Sequence, residues 1–401
     1  MSKVSRRHRP DVGIILLVGV LLAFGLVVIY SISPILSQEL MQDAGRNYFF
    51  YNQLLHIVIG LILFVLASQL PLKWWRKMLP WIAAATAAML IVMLIPQVGI
   101  SEGGATRWLG LGPFSFQPAE LVKFVAVIGA AAWFASLSKN EIKDYRFTLL
   151  PVVIALAVIA LFVVVHQRDL GTMLVVALII GSIFFVSGVK WQHLGSLLAA
   201  GGVAGVLSII MFPHRMERIA TFFSPDEGLA ESSYHLHQAL IAVGSGGLFG
   251  LGLGGSVQVY GYLPEAANDS IFAIIAETFG LVGALSLVML FAALVYRCLL
   301  VASRSDNTFA RYIVVGIAVW IGGQAMINVM AMIGIVPLTG ITLPFLSYGG
   351  TSMVMVLLAM GVVTHISKYT VRIPHENSRQ RRGKRRTYNA HTGRRTSSQA
   401  A

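Results

Sequence analysis

Long apolar segments recur along this chain and are separated by short polar segments. Each apolar run is about 20 residues long, enough for one helix to cross the roughly 30 Å hydrocarbon core of a bilayer. The runs lack the alternation of apolar and polar positions that a membrane β-strand requires, so the pattern predicts helices. Ten spans are predicted, at residues 12–33, 52–71, 78–96, 117–137, 147–166, 170–188, 192–212, 270–297, 309–334 and 343–368.

Composition supports the same class of protein. Hydrophobic residues make up 56% of the 401 residues and charged residues only 12%, whereas a soluble protein has about 25% charged residues. The predicted fold class is an all-α integral membrane protein with ten transmembrane helices. A large extracytoplasmic loop, 213–269, is expected between helices seven and eight. The predicted domains are an N-terminal tail (1–11), the membrane domain (12–369) and a basic, disordered tail (370–401).

Charge predicts how the chain is oriented. If the amino terminus is cytoplasmic and the spans alternate, the inner segments hold 24 of the 30 Lys and Arg residues, and the outer side holds 12 of the 17 acids. This positive-inside bias places both termini in the cytoplasm. The basic run 379–386 is expected to bind anionic membrane lipids, with a cytosolic partner as the alternative. Nucleic-acid binding is not predicted, because the net charge of +13 comes mostly from topology and this tail.

The first two outer segments carry charged residues near the membrane. Arg107 lies in a Gly- and Pro-rich loop, and Glu120 and Lys123 share one helix face because they are three residues apart. These two residues form either an internal ion pair or a polar patch that opens to an outer cavity. In the next outer turn, Asp169 either pairs with Arg168 as a structural clamp or contacts a ligand.

The long outer loop contains a second group of candidate residues. Arg215 and Arg218 are three residues apart, and arginine can bind phosphate through two parallel hydrogen bonds. Lipid-headgroup anchoring is the alternative. Gln238 precedes the glycine-rich segment 243–256, which predicts a re-entrant backbone that closes near a ligand or another helix. The segment is not a nucleotide P-loop, because no Lys-Ser/Thr pair follows it.

Asp269 is the strongest candidate for chemistry. It ends a polar stretch that also contains Glu265, and a long apolar run begins two residues later. A carboxylate next to hydrocarbon is costly and therefore marks a functional-site candidate. The alternative is an ordinary N-terminal helix cap, since Asp is a favoured capping residue. Ser347 and Tyr348, in the loop before the last span, offer hydroxyl groups for a polar head group.

Four strings in this order resemble the SEDS (FtsW/RodA) family of shape, elongation, division and sporulation proteins. The resemblance extends from span one to span ten and excludes only the tails. The string Leu263-Pro264-Glu265-Ala266 is more similar in sequence to the division branch of the family, and membership of the elongation branch stays open. The strings are Arg107-Trp108-Leu109 with Gln117-Pro118-Ala119-Glu120, Asp169-Leu170-Gly171-Thr172, Tyr262 to Asp269 with Phe272-Ala273 and Glu277, and Pro344 to Gly350.

The resemblance implies a peptidoglycan glycosyltransferase that polymerises lipid II on the outer membrane face. Its implied partners are lipid II, a class B penicillin-binding protein that acts as transpeptidase, and other divisome proteins. Asp269 matches the family's catalytic aspartate, whose role is to take the proton of the acceptor hydroxyl. Cations or a metal would stabilise the leaving diphosphate, with Arg107, Lys123, Arg215 and Arg218 as candidates. A divalent cation, Mg²⁺ or Mn²⁺, stays open as a cofactor.

The chain departs from the family pattern near its candidate residues. The family usually has His-Thr where this chain has Ala267-Asn268, and Phe where it has Ser270. Arg168 stands where Pro is usual, and Ala119 where Ser is usual. These departures concern the geometry around the catalytic aspartate rather than the membership of the family.

Two other functional classes stay open. A lipid II flippase would need alternating access, and hence polar groups on both sides of the membrane midplane. A scaffold that only recruits a penicillin-binding protein would not need Asp269. Most intramembrane polarity is predicted on the outer side, which favours an enzyme.

Overall fold

The computed structural model describes residues 8–40, 45–95, 99–102, 105–111, 114–223 and 231–370. Within these ranges the chain forms twelve α-helices and three short strands. In chain order, the helices are α1 Val12–Leu40, α2 Tyr48–Gln69, α3 Leu72–Val92, α4 Pro118–Ser136, α5 Leu149–Ala160, α6 Leu170–Val186, α7 Trp191–Met211, α8 Pro213–Phe223, α9 Glu231–Ser245, α10 Ile271–Ser303, α11 Thr308–Met332 and α12 Gly350–Ser367, and the strands are β1 Gly99–Glu102, β2 Ala105–Leu111 and β3 Phe114–Phe116.

Every predicted span overlaps one of these helices, which confirms a membrane-spanning, mostly helical fold. Eight helices of the described chain are long and apolar enough to cross a membrane, and α6 is a shorter apolar helix. Helix α3 begins at Leu72, before the predicted span. Its first turns contain Lys73, Arg76 and Lys77, and because these interrupt the apolar pattern, hydropathy placed the start too late. The count of ten crossings therefore stays a prediction. Helices α11 and α12 lie largely buried, whereas α7 is almost wholly exposed on the surface.

The loop between α3 and α4 contains a small sheet that the all-α prediction did not include. Strands β1, β2 and β3 form an antiparallel sheet in that order. Leu109 of β2 pairs with Gly99 on one side and with Phe116 on the other. Strands this short leave little alternation in the sequence, so hydropathy alone does not reveal them.

The long loop between α7 and α10 is more ordered than expected, since it contains α8 and α9. After α9, the glycine-rich segment closes onto α10, where that helix is broken at Gly280 (φ 65°, ψ −166°). Leu251 N donates to the Glu277 carbonyl at 2.9 Å, and Leu281 N donates to the Gly247 carbonyl at 2.9 Å. The loop thus satisfies backbone groups that the break leaves without helical partners. The predicted closure of this backbone on another helix is confirmed.

Glu277 strengthens this closure. Its side chain is buried and accepts hydrogen bonds from Ser256 Oγ and, at 3.0 Å, from Val257 N. A buried carboxylate is tolerated when such donors surround it. The segment that leads into the candidate site is therefore tied to α10 by both backbone and side-chain contacts.

The last helix begins at Gly350 rather than at residue 343. The preceding residues form a turn in which Ser347 N donates to the Leu343 carbonyl at 3.0 Å. Phe345 adopts a positive φ of 67°, which cannot continue a right-handed helix. This turn packs against the segment before α10, and the two together shape the candidate site.

Candidate active site

The candidate site lies where α10 begins. Asp269 is buried, with 8% of its surface exposed. Ser270, not Asp269, precedes the first helical residue, and no side chain caps this helix. The carboxylate instead lies 3.5 Å from Ser270 Oγ. The capping role considered for Asp269 is therefore wrong, and its buried carboxyl group needs another explanation.

The backbone at Asp269 is held by α11. Asn328 Nδ2 donates to the Asp269 carbonyl at 2.6 Å and to the Ile341 carbonyl at 2.7 Å. One buried amide thus joins the start of α10 to the loop before α12. Because both acceptors are backbone atoms, this contact fixes the position of Asp269 without engaging its carboxylate.

Ser347 and Tyr348 hold the same segment from the other side. Ser347 Oγ accepts from Leu343 N at 2.7 Å and donates to the Asn268 carbonyl. Tyr348 N donates to the Ala267 carbonyl at 2.8 Å. Both were predicted to contact a polar head group. In the structure they position the residues before Asp269, and the Ser347 hydroxyl is already committed to the protein.

Two charges of opposite sign act on the Asp269 carboxyl group. Burial, followed by the negative charge of Glu265, raises the pKa of Asp269 to about 7, and the positive charge of Arg218 opposes this rise. Glu265 is exposed and accepts a hydrogen bond from Asn268 Nδ2. A carboxyl group with a pKa near 7 is suited to accept and release protons at neutral pH.

His235 of α9 belongs to the site and was not found from the sequence. Its Nε2 atom lies 2.6 Å from Ser270 Oγ, and Ser270 Oγ donates to the Pro264 carbonyl at 2.8 Å. This arrangement assigns a proton to His235 Nε2, which donates to the hydroxyl. Burial, and then the charge of Arg218, lowers the pKa of His235 to about 4, so its ring is neutral at pH 7. The available signal was Ser270 itself, a polar residue where the family usually has Phe.

Gln238 lies one turn beyond His235 on α9 and is half-buried. Residues three apart share a helix face. The predicted substrate contact of Gln238 stays a prediction.

Arg215 has a position different from that expected of a simple phosphate ligand. It is 5% exposed, and its guanidinium donates to the Val164 carbonyl at 2.7 Å and to the Ser208 carbonyl at 3.2 Å. It also lies 4.4 Å from the Phe212 ring. Arg215 therefore joins α8 to the end of α5 and to α7. Diphosphate binding would require it to leave these partners.

Arg218 is the exposed member of the pair. Its guanidinium donates to the Leu338 carbonyl at 3.2 Å. Its charge acts on both Asp269 and His235. Arg218 therefore fits the predicted contact with an anion next to Asp269 better than Arg215 does.

Arg107 and Asp169 stabilise the outer turn between α5 and α6. Arg107 donates to the Gln167 carbonyl at 3.1 Å and to the Arg168 carbonyl at 3.2 Å. Asp169 caps α6 and accepts from Thr172 N at 2.8 Å. No ion pair joins Asp169 to Arg168 among the residues that the structure describes, so the clamp considered for that pair is not formed.

These charges nevertheless lie in one electrostatic neighbourhood. The groups that act on the Arg215 guanidinium are Asp169, Arg218, Arg107 and Arg168. Three of these residues, Asp169, Arg107 and Arg218, are candidate substrate contacts from separate loops, and their contact with substrate stays a prediction. Such an excess of positive charge suits the stabilisation of a diphosphate.

Glu120 and Lys123 form a buried ion pair of 2.7 Å. Lys123 Nζ also donates to Gln324 Oε1 at 3.0 Å and lies 5.3 Å from the Trp320 ring. Gln324 Nε2 donates in turn to the Thr342 carbonyl at 2.9 Å. The internal-pair interpretation therefore describes this structure. The pair supports the loop that Asn328 ties to Asp269.

The described residues contain no ready-made cluster of metal ligands. Those residues do not bring together three His, Cys, Asp or Glu side chains. The proposed mechanism uses only side chains of this chain.

Fold and site together define a membrane protein with several helices long enough to cross a bilayer and a buried carboxyl group, that of Asp269, on which the positive charge of Arg218 acts. Residues 12–372 match the cell cycle protein family of FtsW, RodA and SpoVE, and the chain belongs to this family. It is 35% identical to stage V sporulation protein E of Bacillus subtilis over 91% of this chain and 99% of that protein. It is also 35% identical to the probable peptidoglycan glycosyltransferase FtsW of Coxiella burnetii, over 90% and 96% of the two chains.

Solved structures are similar over the same extent. One is a chain of a peptidoglycan synthase complex with structurally coordinated polymerization and crosslinking. It aligns with a TM-score of 0.74 and 25% identity, and the alignment covers 90% of this chain and 98% of that one. The rod shape determining protein RodA of Thermus thermophilus aligns with a TM-score of 0.64 and 26% identity over 90% and 98%. The predicted SEDS fold is confirmed.

Proposed function

We propose that this chain is a peptidoglycan glycosyltransferase that polymerises lipid II during cell division. The proposal rests on Asp269, because its carboxyl group is buried just before α10 begins and burial raises its pKa to about 7. Relatives that are about a third identical and are named probable peptidoglycan glycosyltransferase FtsW support the reaction class. An elongation polymerase, which RodA represents, is the alternative role.

The chemistry needs one base and a stabilised leaving group. Asp269 accepts the proton of the acceptor sugar's 4-hydroxyl as that oxygen bonds to the donor's anomeric carbon. The bond between this carbon and the lipid diphosphate breaks on the opposite face, with inversion. A positioned base contributes about 10²–10⁴-fold to such a step. The charge of Arg218 and its cationic neighbours stabilises the departing diphosphate.

We place the enzyme in the bacterial cytoplasmic membrane at the division septum, with both termini in the cytoplasm and Asp269 at the outer face. The split of 24 to 6 in Lys and Arg supports this orientation. A class B penicillin-binding protein is the proposed partner, together with other divisome proteins. Similarity to a chain of a peptidoglycan synthase complex supports such an assembly.

The test is lipid II polymerisation by the purified chain with its partner, scored as glycan strands on a gel. Asp269→Asn should lower the rate by about two orders of magnitude or more while leaving fold and partner binding intact. Asp169→Asn is the control, because Asn caps a helix about as well as Asp. A folded, partner-bound Asp269→Asn protein that polymerises at the parent rate would refute the assignment.

The same experiment separates the other classes. A scaffold would be indifferent to Asp269→Asn and would produce no glycan with an inactive partner. A flippase would move fluorescent lipid II across vesicle membranes without producing strands. Asp269, the Asn328 contact and the cationic cluster converge on one end of α10, which favours the enzyme.

A further inference from the structure

The two ends of the membrane domain meet at the opposite end of the molecule from Asp269. His8 N donates to the Lys368 carbonyl at 2.9 Å, and Asp11 N donates to Ser367 Oγ at 3.0 Å. The His8 ring places Nε2 at 2.9 Å from the Thr370 carbonyl. The segment before α1 and the segment after α12 therefore form one hydrogen-bonded wall.

A cavity of about 160 Å³ lies between this wall and the last turn of α10. Arg9 lines it from the N-terminal segment, and Arg304, the residue after α10, lines it from the other side. Leu300 and Val301 contribute an apolar side to the same cavity. The cavity is thus lined by two exposed arginines and has an apolar border at the end of α10.

Among the described residues, the lining of this cavity holds two arginines and one acid. Asp11 is the acid in its lining, but its Oδ1 atom accepts from Gly13 N at 2.9 Å and its Oδ2 atom pairs with Arg297 at 3.5 Å. Within the described ranges, neither Arg9 nor Arg304 forms an ion pair. Two cations in one cavity repel each other unless an anion lies between them.

We propose that this cavity binds a phosphate group between Arg9 and Arg304. Guanidinium groups bind phosphate through paired, charge-assisted hydrogen bonds, which makes phosphate the anion that best fits two arginines. The group could belong to the head of an anionic phospholipid or to a free phosphate. In the proposed orientation this end of the bundle faces the cytoplasmic leaflet, which is rich in anionic lipids.

This site is separate from the proposed glycosyltransferase site. Asp269 lies just before α10, whereas Arg304 lies just after the 33 residues of that helix. The unbroken part of α10 after Gly280 extends about 35 Å at about 1.5 Å per residue, so the two sites lie at different ends of that helix. Loss of phosphate binding would therefore leave the catalytic groups in place, and the two proposals can fail independently.

The experiment measures ligand binding to the purified full-length protein in detergent. The probes are dihexanoyl-phosphatidylglycerol and inorganic phosphate. Dihexanoyl-phosphatidylcholine, which has no net charge, is the reference lipid. The variants are Arg9→Gln with Arg304→Gln, and each single change. Arg146→Gln is the matched control, because Arg146 is also an exposed arginine and lies in the α4–α5 connection outside the cavity.

The parent and Arg146→Gln should bind phosphatidylglycerol or phosphate with equal affinity, and the double variant should lose about tenfold or more. Each single variant should lose part of this affinity. Binding of phosphatidylglycerol alone identifies a lipid headgroup, and binding of inorganic phosphate identifies the free anion. Absence of binding to both probes, or the same loss in Arg146→Gln as in the double variant, would overturn the proposal.

Discussion

At the scale of single residues, the balance of charges around Asp269 leads to a pH prediction. The charge of Glu265 raises the pKa of Asp269, and that of Arg218 lowers it. Because the base must be deprotonated, the polymerisation rate should rise with pH through a midpoint near pH 7. Glu265→Gln removes the raising charge and should move the midpoint to lower pH. Arg218→Gln removes the lowering charge and should move it to higher pH.

The measurement is the initial polymerisation rate with saturating lipid II between pH 5.5 and 8.5. Asp169→Asn is the control and should leave the midpoint unchanged. If Glu265→Gln and Arg218→Gln shift the midpoint in the same direction, the shifts do not follow the sign of the charge removed, and the base assignment loses its support.

His235 should act as a positioning residue through Ser270. His235→Ala leaves the Ser270 hydroxyl without its 2.6 Å partner, so the residue next to Asp269 gains freedom. We expect kcat to fall by about tenfold with little change in KM, because near-attack geometry is lost while lipid II binding is kept. His235→Gln should restore part of the rate, since its amide can still donate.

The control for this test is His237→Ala, which removes an exposed histidine from the same helix and should leave kcat unchanged. Ser270→Ala should reproduce the His235→Ala loss, and combining the two should add little, because both changes break one contact. Additive losses in the double variant would assign the two residues to separate roles.

The two arginines of α8 should respond differently to substitution. Arg215 is buried and donates to backbone carbonyls, so Arg215→Ala should lower the free energy of unfolding by about 2 kcal/mol or more. Arg218 is exposed, so Arg218→Ala should weaken lipid II use while leaving thermal stability near the parent value. Arg218→Lys should rescue lipid II use only in part, because it lacks the planar fork. A stable Arg215→Ala protein with weakened lipid II use would reverse these assignments.

Sequence patterns predicted the chemistry of Asp269 but not what holds it. The Ser347 contact with the Asn268 carbonyl joins residues 79 positions apart, and the Asn328 contact joins α11 to two separate loops. These bonds go to backbone atoms, which every residue has, so side-chain types alone do not identify the acceptor. Ser347 was therefore interpreted as a ligand for substrate rather than as a support for the site.

At the scale of elements, the break in α10 should be essential. Gly280 has a φ of 65° and lies against the backbone of the glycine-rich loop. Gly280→Ala should disturb this contact, lower thermal stability, and increase hydrogen exchange in the glycine-rich segment. Gly181→Ala is the control: Gly181 is helical and has no neighbour where a Cβ would lie, so this change should be neutral or slightly stabilising. Equal exchange in both variants would show that the closure does not depend on Gly280.

Apolar runs predicted the long helices because a helix that crosses the hydrocarbon core needs about 20 consecutive apolar residues. The same measure missed α8 and α9, which contain charged and polar side chains, and it missed the sheet, whose pairing is non-local. It also extended α12 backwards over Leu343 and Phe345, since both are apolar although they form a turn. Hydropathy therefore identified the long apolar helices, and it left out the structures that build the site.

At the scale of the whole molecule, topology is the remaining prediction. The hydrogen bond between His8 and Lys368 puts both ends of the membrane domain side by side, as an even number of crossings requires. In a Cys298→Ser background, an impermeant maleimide should label Glu39→Cys and Ile335→Cys in intact cells. Lys139→Cys and Ala390→Cys should react only after the membrane is opened, because positive segments stay inside. Labelling of residue 139 or 390 in intact cells would contradict the proposed orientation. Asp269 would then face the cytoplasm, where it could not polymerise glycan strands on the outer face.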